Sequence, residues 1–163
     1  MNNPFQLVYD GLWTMAERNP RLSAKIPLGN RIKFEENADK LQNPVDADVP
    51  ELALISAGFT KTNQSTDCTS MFTKKYMWAL TTGSLIISEY NEISWELLRS
   101  MEHWKDILCP LTWCECPFVN YFRILEVQEG NEMLTKESGI DGWSAFCTVE
   151  VDLQFSVSKL KLS

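Results

Sequence analysis

The stretch Ala-Phe-Cys-Thr-Val-Glu-Val-Asp-Leu-Gln-Phe-Ser-Val, residues 145–157, alternates with a period of two. Its odd positions are Ala145, Cys147, Val149, Val151, Leu153, Phe155 and Val157, and its even positions are Phe146, Thr148, Glu150, Asp152, Gln154 and Ser156. Successive side chains of a strand point to opposite faces, so this spacing predicts a long antiparallel strand with one dry and one mostly wet face. Glu150 and Asp152 fall on the wet face, where solvation is expected. Beyond Val157 the phase slips, because Leu160 and Leu162 are even. A one-residue slip turns side chains to the other face. It predicts a bulge, a tail leaving the sheet to meet another molecule, or a frayed end.

A strand with one dry face needs a cover, and two segments supply helical spacing. Asn3 is a capping residue and Pro4 suits a first helical position, where no N–H is needed. Phe5, Val8, Leu12, Met15 and Ala16 follow on one stripe, widened by Tyr9 and Trp13, and Asn19-Pro20 reads as the exit, giving a helix over 4–18. A second helix is expected over about 90–105, with Ile93, Leu97, Leu98, Met101, Trp104 and Leu108 inward, Glu92, Glu96 and Arg99 outward, and Pro110 as its end.

The remaining segments read as strands and loops. Gly29-Asn30 marks a turn before a short strand over 31–34. Residues 51–59 are apolar enough for a buried strand, and 61–68 are a polar turn. From Met71 to Thr81, Phe72, Tyr76, Trp78 and Leu80 share a face that Lys74 interrupts, and Gly83 follows. Leu85-Ile86-Ile87 fits either a strand or the start of the second helix; residues 118–128 read as a strand. The order is helix, short strand, strand, strand, helix, strand, long strand. It predicts a single α+β domain over 1–163, a mainly antiparallel sheet with two principal helices packed on it.

Length and composition agree with one folded core. The chain has 163 residues, 44% apolar and 23% charged, with six Trp and eight Phe. Each buried aromatic contributes roughly 2–3 kcal/mol. Net charge is −7 and the pI near 4.8, and the densest basic groups are Lys74-Lys75 and Lys159/Lys161, so tight nucleic-acid binding is not expected. There is no run of 18 apolar residues and no signal-like segment after Met1-Asn2-Asn3-Pro4, so no membrane span or secretion is expected. Five Cys without such a segment point to reduced thiols in a cytosol.

Chemistry-bearing patterns are sparse. The only His is His103, read at a helix C-terminal turn, with Cys109 as a conceivable partner that lacks an orienting group. His103, Cys109, Cys114 and Cys116 do not have the paired spacings of a structural zinc site, though Cys114 and Cys116 share a face if they begin a strand. No phosphate-binding Gly run occurs. The expectation is no enzyme, no cofactor and no metal. Loops over 35–49 and 130–142 are the polar connections; the first, with Glu35, Glu36, Asp39, Asp46 and Asp48, is a solvated linker or else a partner or metal site.

Three segments taken together carry a resemblance. Asn-Pro-Phe-Gln-Leu-Val-Tyr-Asp-Gly-Leu-Trp (3–13), Gly-Asn-Arg-Ile-Lys-Phe (29–34) and Asp-Val-Pro-Glu-Leu-Ala-Leu (48–54) resemble the front half of phage tail terminator proteins, over about a third of the chain. The resemblance implies a virion protein made in the host cytoplasm. It would form a ring, usually of six subunits, at the head-proximal end of the tail tube. Its partners would be itself, the tail tube protein and a neck or connector protein. DNA would pass through the lumen without specific binding, which an acidic surface suits, and there would be no cofactor and no membrane. Candidate subunit contacts are Glu35, Glu36, Asp39, Asp46 and Asp48, together with Lys159, Leu160, Lys161 and Leu162 in the 158–163 tail. Rival readings are another neck or head-completion protein, or a ligand-binding α+β module with a cavity lined by Trp78, Trp95, Trp104 and Trp113.

Overall fold

The computed structural model describes residues 3–33, 50–82, 87–130 and 143–162. The chain opens with α1 (Pro4–Arg18), where Asn3 Oδ1 accepts from the Gln6 N–H at 2.9 Å and Pro4 occupies the first turn. Asn19 does more than end this helix. Its N–H donates to the Ala16 carbonyl, and its side chain accepts from the N–H groups of Arg21 and Leu22, capping a second helix, α2 (Pro20–Lys25). The exit read at Asn19-Pro20 is therefore also an entrance, by the same cap-plus-proline chemistry as at Asn3-Pro4.

A 3₁₀ turn at Leu28–Asn30 leads into β1 (Arg31–Lys33), followed by β2 (Glu51–Lys61) and β3 (Thr69–Thr82). Helix α3 (Ile87–Met101) and a single turn, α4 (Trp104–Ile107), come next. A small hairpin, β4 (Thr112–Trp113) and β5 (Cys116–Pro117), precedes β6 (Val119–Gly130), β7 (Trp143–Ser156) and a last turn, α5 (Val157–Leu160). The main sheet has the order β1-β2-β3-β7-β6. β2, β3, β7 and β6 are mutually antiparallel, and β1 joins one edge in parallel. The fold is thus α+β, with helices packed on a mainly antiparallel sheet.

The alternating stretch lies at the centre of this arrangement. β3 and β7 pair without interruption from Thr69↔Ser156 to Thr82↔Trp143. Val149, Val151 and Leu153 have no exposed surface, and Ala145, Cys147 and Phe155 are buried beside them. The same face of β3 presents Tyr76, Trp78 and Leu80. Val8, Leu12 and Trp13 of α1 and Ile93, Leu97 and Met101 of α3 join these residues in one core. Trp13 meets Trp78 edge to face, with ring centroids 5.0 Å apart, a geometry that adds to simple area burial. Gly11 permits the close approach of α1 to the segment after α4: a Cβ there would stand 2.7 Å from Leu108 Cδ2.

Four expectations need correction. The helix expected over 90–105 starts at Ile87 and stops at Met101, because His103 leaves helical geometry (φ −96°, ψ 23°). That break turns Trp104 onto β6, where its ring stacks on Phe122 at 6.1 Å. Glu96, expected outward, is 2% exposed, because α2 lies against that side of α3. Glu150, expected in solvent, is also buried, held by Arg123 and Lys75 from both neighbouring strands. The phase slip after Val157 marks neither a bulge nor a continued strand but the turn α5, whose Leu160 is 38% exposed.

If β7 faces the core as described, adjacent positions must respond very differently to truncation. Leu153→Ala is expected to cost about 2–5 kcal/mol, while Gln154→Ala, exposed on the other face, should stay within about 0.5 kcal/mol. Urea unfolding of the two variants beside the parent chain measures both.

Candidate functional site

β6 forms one border of the sheet, and its outer side has no strand partner among the described residues. Along it Tyr121, Ile124, Leu125 and Val127 are 49%, 37%, 48% and 41% exposed. A bulge explains how Ile124 and Val127 come together. Ile124 pairs with Val149 and Val127 with Cys147, while the register shifts between Ile124 and Glu126. The extra residue keeps Ile124 and Val127, three apart, on the same face as the dry positions of β7. Their side chains therefore extend the core face sideways beyond the helices. Trp104 covers Phe122 at one end of this fringe, and Tyr90 reaches Glu129 Oε1 at 3.1 Å at the other. Sequence periodicity misses the fringe because the bulge breaks the alternation.

The opposite border is also open in part. Among the described residues β1 pairs with Leu52 to Leu54, and Ser56 to Lys61 of β2 are exposed. The sheet face without helices carries a charge cluster: Arg123 Nε donates to Glu150 Oε2 at 2.6 Å and Nη1 to Asp152 Oδ2 at 3.4 Å. Thr73 donates to Asp152 Oδ1 at 2.8 Å, and Lys75 stands 3.4 Å from Glu150. Every carboxylate in this cluster has a protein partner, so it reads as cross-strand pairing rather than a ligand site.

A second polar cluster joins the helices. Asn19 Nδ2 donates to Glu96 Oε2 at 2.8 Å, to the Glu96 carbonyl at 3.0 Å and to Ser100 Oγ at 3.0 Å. Arg99 and Arg21 approach the same carboxylate at 3.2 and 3.5 Å. The Asn19 hydrogen bond, aided by the two guanidinium charges against the opposing effect of burial, holds the Glu96 carboxyl below its ordinary value of 4.5. A neighbouring cavity of about 310 Å³ is lined by Arg18, Arg99, His103 and Asp106, among others.

The residues singled out in the sequence are scattered. Glu35, Glu36, Asp39, Asp46 and Asp48 lie outside the described residues, as does most of the 130–142 connection. Lys159, Leu160, Lys161 and Leu162 are exposed at α5 and just beyond it. His103 is exposed and its nearest acid is Asp106, with Nδ1 to Oδ2 at 3.9 Å. Cys109 is half-buried, while Cys114 and Cys116 are exposed. Cys114 does not begin a strand: with Glu115 it forms the turn of the small hairpin, both at positive φ (50° and 65°), the geometry that tight hairpins demand. No group of three or more His, Cys, Asp or Glu side chains arranged to hold a metal ion occurs among the described residues. Burial pushes the Cys147 thiol up to about 11, the setting of a packed rather than a reactive cysteine.

The four Trp considered as a cavity lining do not share one. Trp78 is in the core against Trp13, Trp95 is 62% exposed on α3, Trp104 rests on Phe122, and Trp113 meets Phe155 edge to face at 5.6 Å. No helix among the described residues is long and apolar enough to cross a membrane. The sequence matches no protein-family model and no curated protein.

The lowered carboxyl of Glu96 has a definite pH signature. A depressed folded-state value adds stability that is fully present above about 4.5 and is lost as pH falls through the folded value. Glu96→Gln should therefore melt below the parent at pH 7, and the gap between their melting temperatures should narrow as pH drops from 5 to 3. Circular-dichroism melts across that range test it; a gap independent of pH would contradict the assignment.

Proposed function

We propose that this chain is a structural virion subunit, a tail terminator. It closes into a ring, hexameric as the resemblance implies, that caps the tail tube. The ring then joins the tube to the neck or connector protein and leaves a lumen for DNA. The observation that carries this reading is the open apolar border of β6, where Ile124 and Val127 continue the core face into solvent and Leu125 is exposed in the bulge between them. A long edge strand with exposed apolar side chains is a template for pairing with another chain unless something covers it.

The strand directions are compatible with a head-to-tail ring. β2 runs antiparallel to β3, β3 to β7 and β7 to β6, so β2 and β6 run in opposite directions at the two borders. Copies placed side by side in one orientation would set β6 against the open part of β2 in antiparallel pairing. Such head-to-tail contacts use two different surfaces and close into a ring when the rotation allows. The net charge of −7 suits a lumen through which DNA slides without adhering. No residue cluster described above needs a substrate or a cofactor for this role.

Native mass spectrometry and negative-stain microscopy of the purified chain should show closed rings with a central hole. Ile124→Lys combined with Val127→Lys should leave a monomer, with a melting temperature within a few degrees of the parent at equal monomer content. A parent chain that stays monomeric at high concentration and does not bind tail tubes would overturn the reading.

A further inference from the structure

Lys74 interrupts the apolar face of β3, and only 6% of it is exposed. Its ammonium stands over the rings of Phe5, Tyr76 and Phe59, at 5.0, 5.4 and 5.8 Å from their centroids, and donates to Ser56 Oγ. Among the described residues no carboxylate lies within ion-pair distance of it. An ammonium has three donors, and Ser56 takes one. Ring faces attract a cation but do not replace a counter-ion, and a charge buried without one is costly. Burial accordingly lowers the Lys74 pKa from its usual 10.5.

The same ammonium lines a cavity of about 200 Å³ beside the first turn of α1, walled by Phe5, Tyr9 and Tyr76, with Asn3, Gln6 and Ser56. The two phenols are turned to protein carbonyls: Tyr9 Oη donates to Leu54 and Tyr76 Oη to Phe5, both at 2.9 Å. Gln6 Nε2 is likewise engaged, with Asp10. The cavity therefore offers aromatic walls and one cationic donor. That combination fits a monoanion with an apolar body. A phosphate, with more charge and more acceptor oxygens, needs several donors.

We propose that this cavity binds a carboxylate carried on a small apolar or aromatic group, with Lys74 as its counter-ion and the rings of Phe5, Tyr9 and Tyr76 as its walls. The carboxylate comes either from a free organic acid or from an acidic side chain or chain end of another protein molecule. The proposal does not rest on the ring reading, although Ser56 and Phe59 belong to the open part of β2 that the ring contact would use. The Ile124 and Val127 variant alters only the β6 side and leaves the cavity lining intact.

Benzoate is a suitable probe, and benzyl alcohol is its near-isosteric neutral control. Thermal melts and calorimetric titration of the full chain should show saturable binding of benzoate and none of benzyl alcohol at equal concentration. Lys74→Met, which keeps an unbranched apolar stem without the charged end, should weaken benzoate binding at least about tenfold. Native mass spectrometry separates the two sources. Benzoate that leaves the mass distribution unchanged marks a site for a free acid, whereas benzoate that dissociates a multimer marks one filled by a neighbouring chain. Equal response to benzoate and benzyl alcohol, no response to benzoate, or undiminished binding in Lys74→Met overturns the proposal. Should Lys74→Met fail to fold, the comparison of the two probes on the parent chain decides alone.

Discussion

Val149, Val151 and Leu153 have no surface left to water, although they sit on a strand whose backbone is already paired on both sides. Side-chain burial therefore has to come from above the sheet, and α1 and α3 provide it. Full burial of such a side chain contributes about 1.5–3 kcal/mol. The dependence runs the other way too. Isolated helices of about fifteen residues are marginal in water, and α1 and α3 are each of that length. Their apolar stripes hold a helical shape because Tyr76, Trp78 and the odd positions of β7 give Leu12, Trp13 and Ile93 something to rest on. Strand and helices stabilise each other, and neither is persuasive alone.

The angle at which the helices lie on the sheet has a separate, polar determinant. Asn19 ends α1, caps α2 and holds α3 through its side-chain NH2, whose two hydrogens are shared among the Glu96 carboxylate, the Glu96 carbonyl and Ser100 Oγ. A buried carboxylate that lost these partners would be costly. Such a pair therefore adds less to net stability than to the choice of one arrangement over others. Slack packing of Leu, Ile and Met stripes tolerates many helix rotations; the amide of Asn19 and the carboxylate of Glu96 tolerate few.

The sequence was legible wherever a period or a cap decided the outcome. Alternation placed β7 within two residues at each end, and Asn3-Pro4 placed the start of α1. What escaped has physical reasons. Asn19-Pro20 carries the same start signal as Asn3-Pro4, but at the end of one helix it reads as a stop, so α2 was not foreseen. The hairpin at 112–117 turns on Cys114 and Glu115, neither of which is a usual turn residue at positive φ. Glu96 and Glu150 obey the expected helical and strand phase; their burial depends on partners from α2, β3 and β6, which phase cannot reveal. For the candidate site, the tail residues Lys159 to Leu162 are exposed, and the acidic contacts over 35–49 lie outside the described residues. The apolar border of β6 was hidden by its bulge, and the Lys74 cavity showed only as an unexplained charge in an apolar stripe.

The existence of that border follows from element widths. Five strands spaced about 4.8 Å apart make a sheet about 24 Å wide, while two helices of roughly 10 Å cover about 20 Å. The shortfall is about one strand. At the β1 border the shortage matters little, because β1 has three residues and leaves few side chains to cover. At the other border it falls on β6, twelve residues long, and on the segment between the two places where Trp104 and Tyr90 reach across. A surface produced in this way needs no dedicated motif. The same apolar residues that would make an ordinary buried strand become an exposed fringe because the helices above them run out. This is why motif spacing carries so little information about how the chain meets its surroundings, and why the count and width of the covering helices carries more.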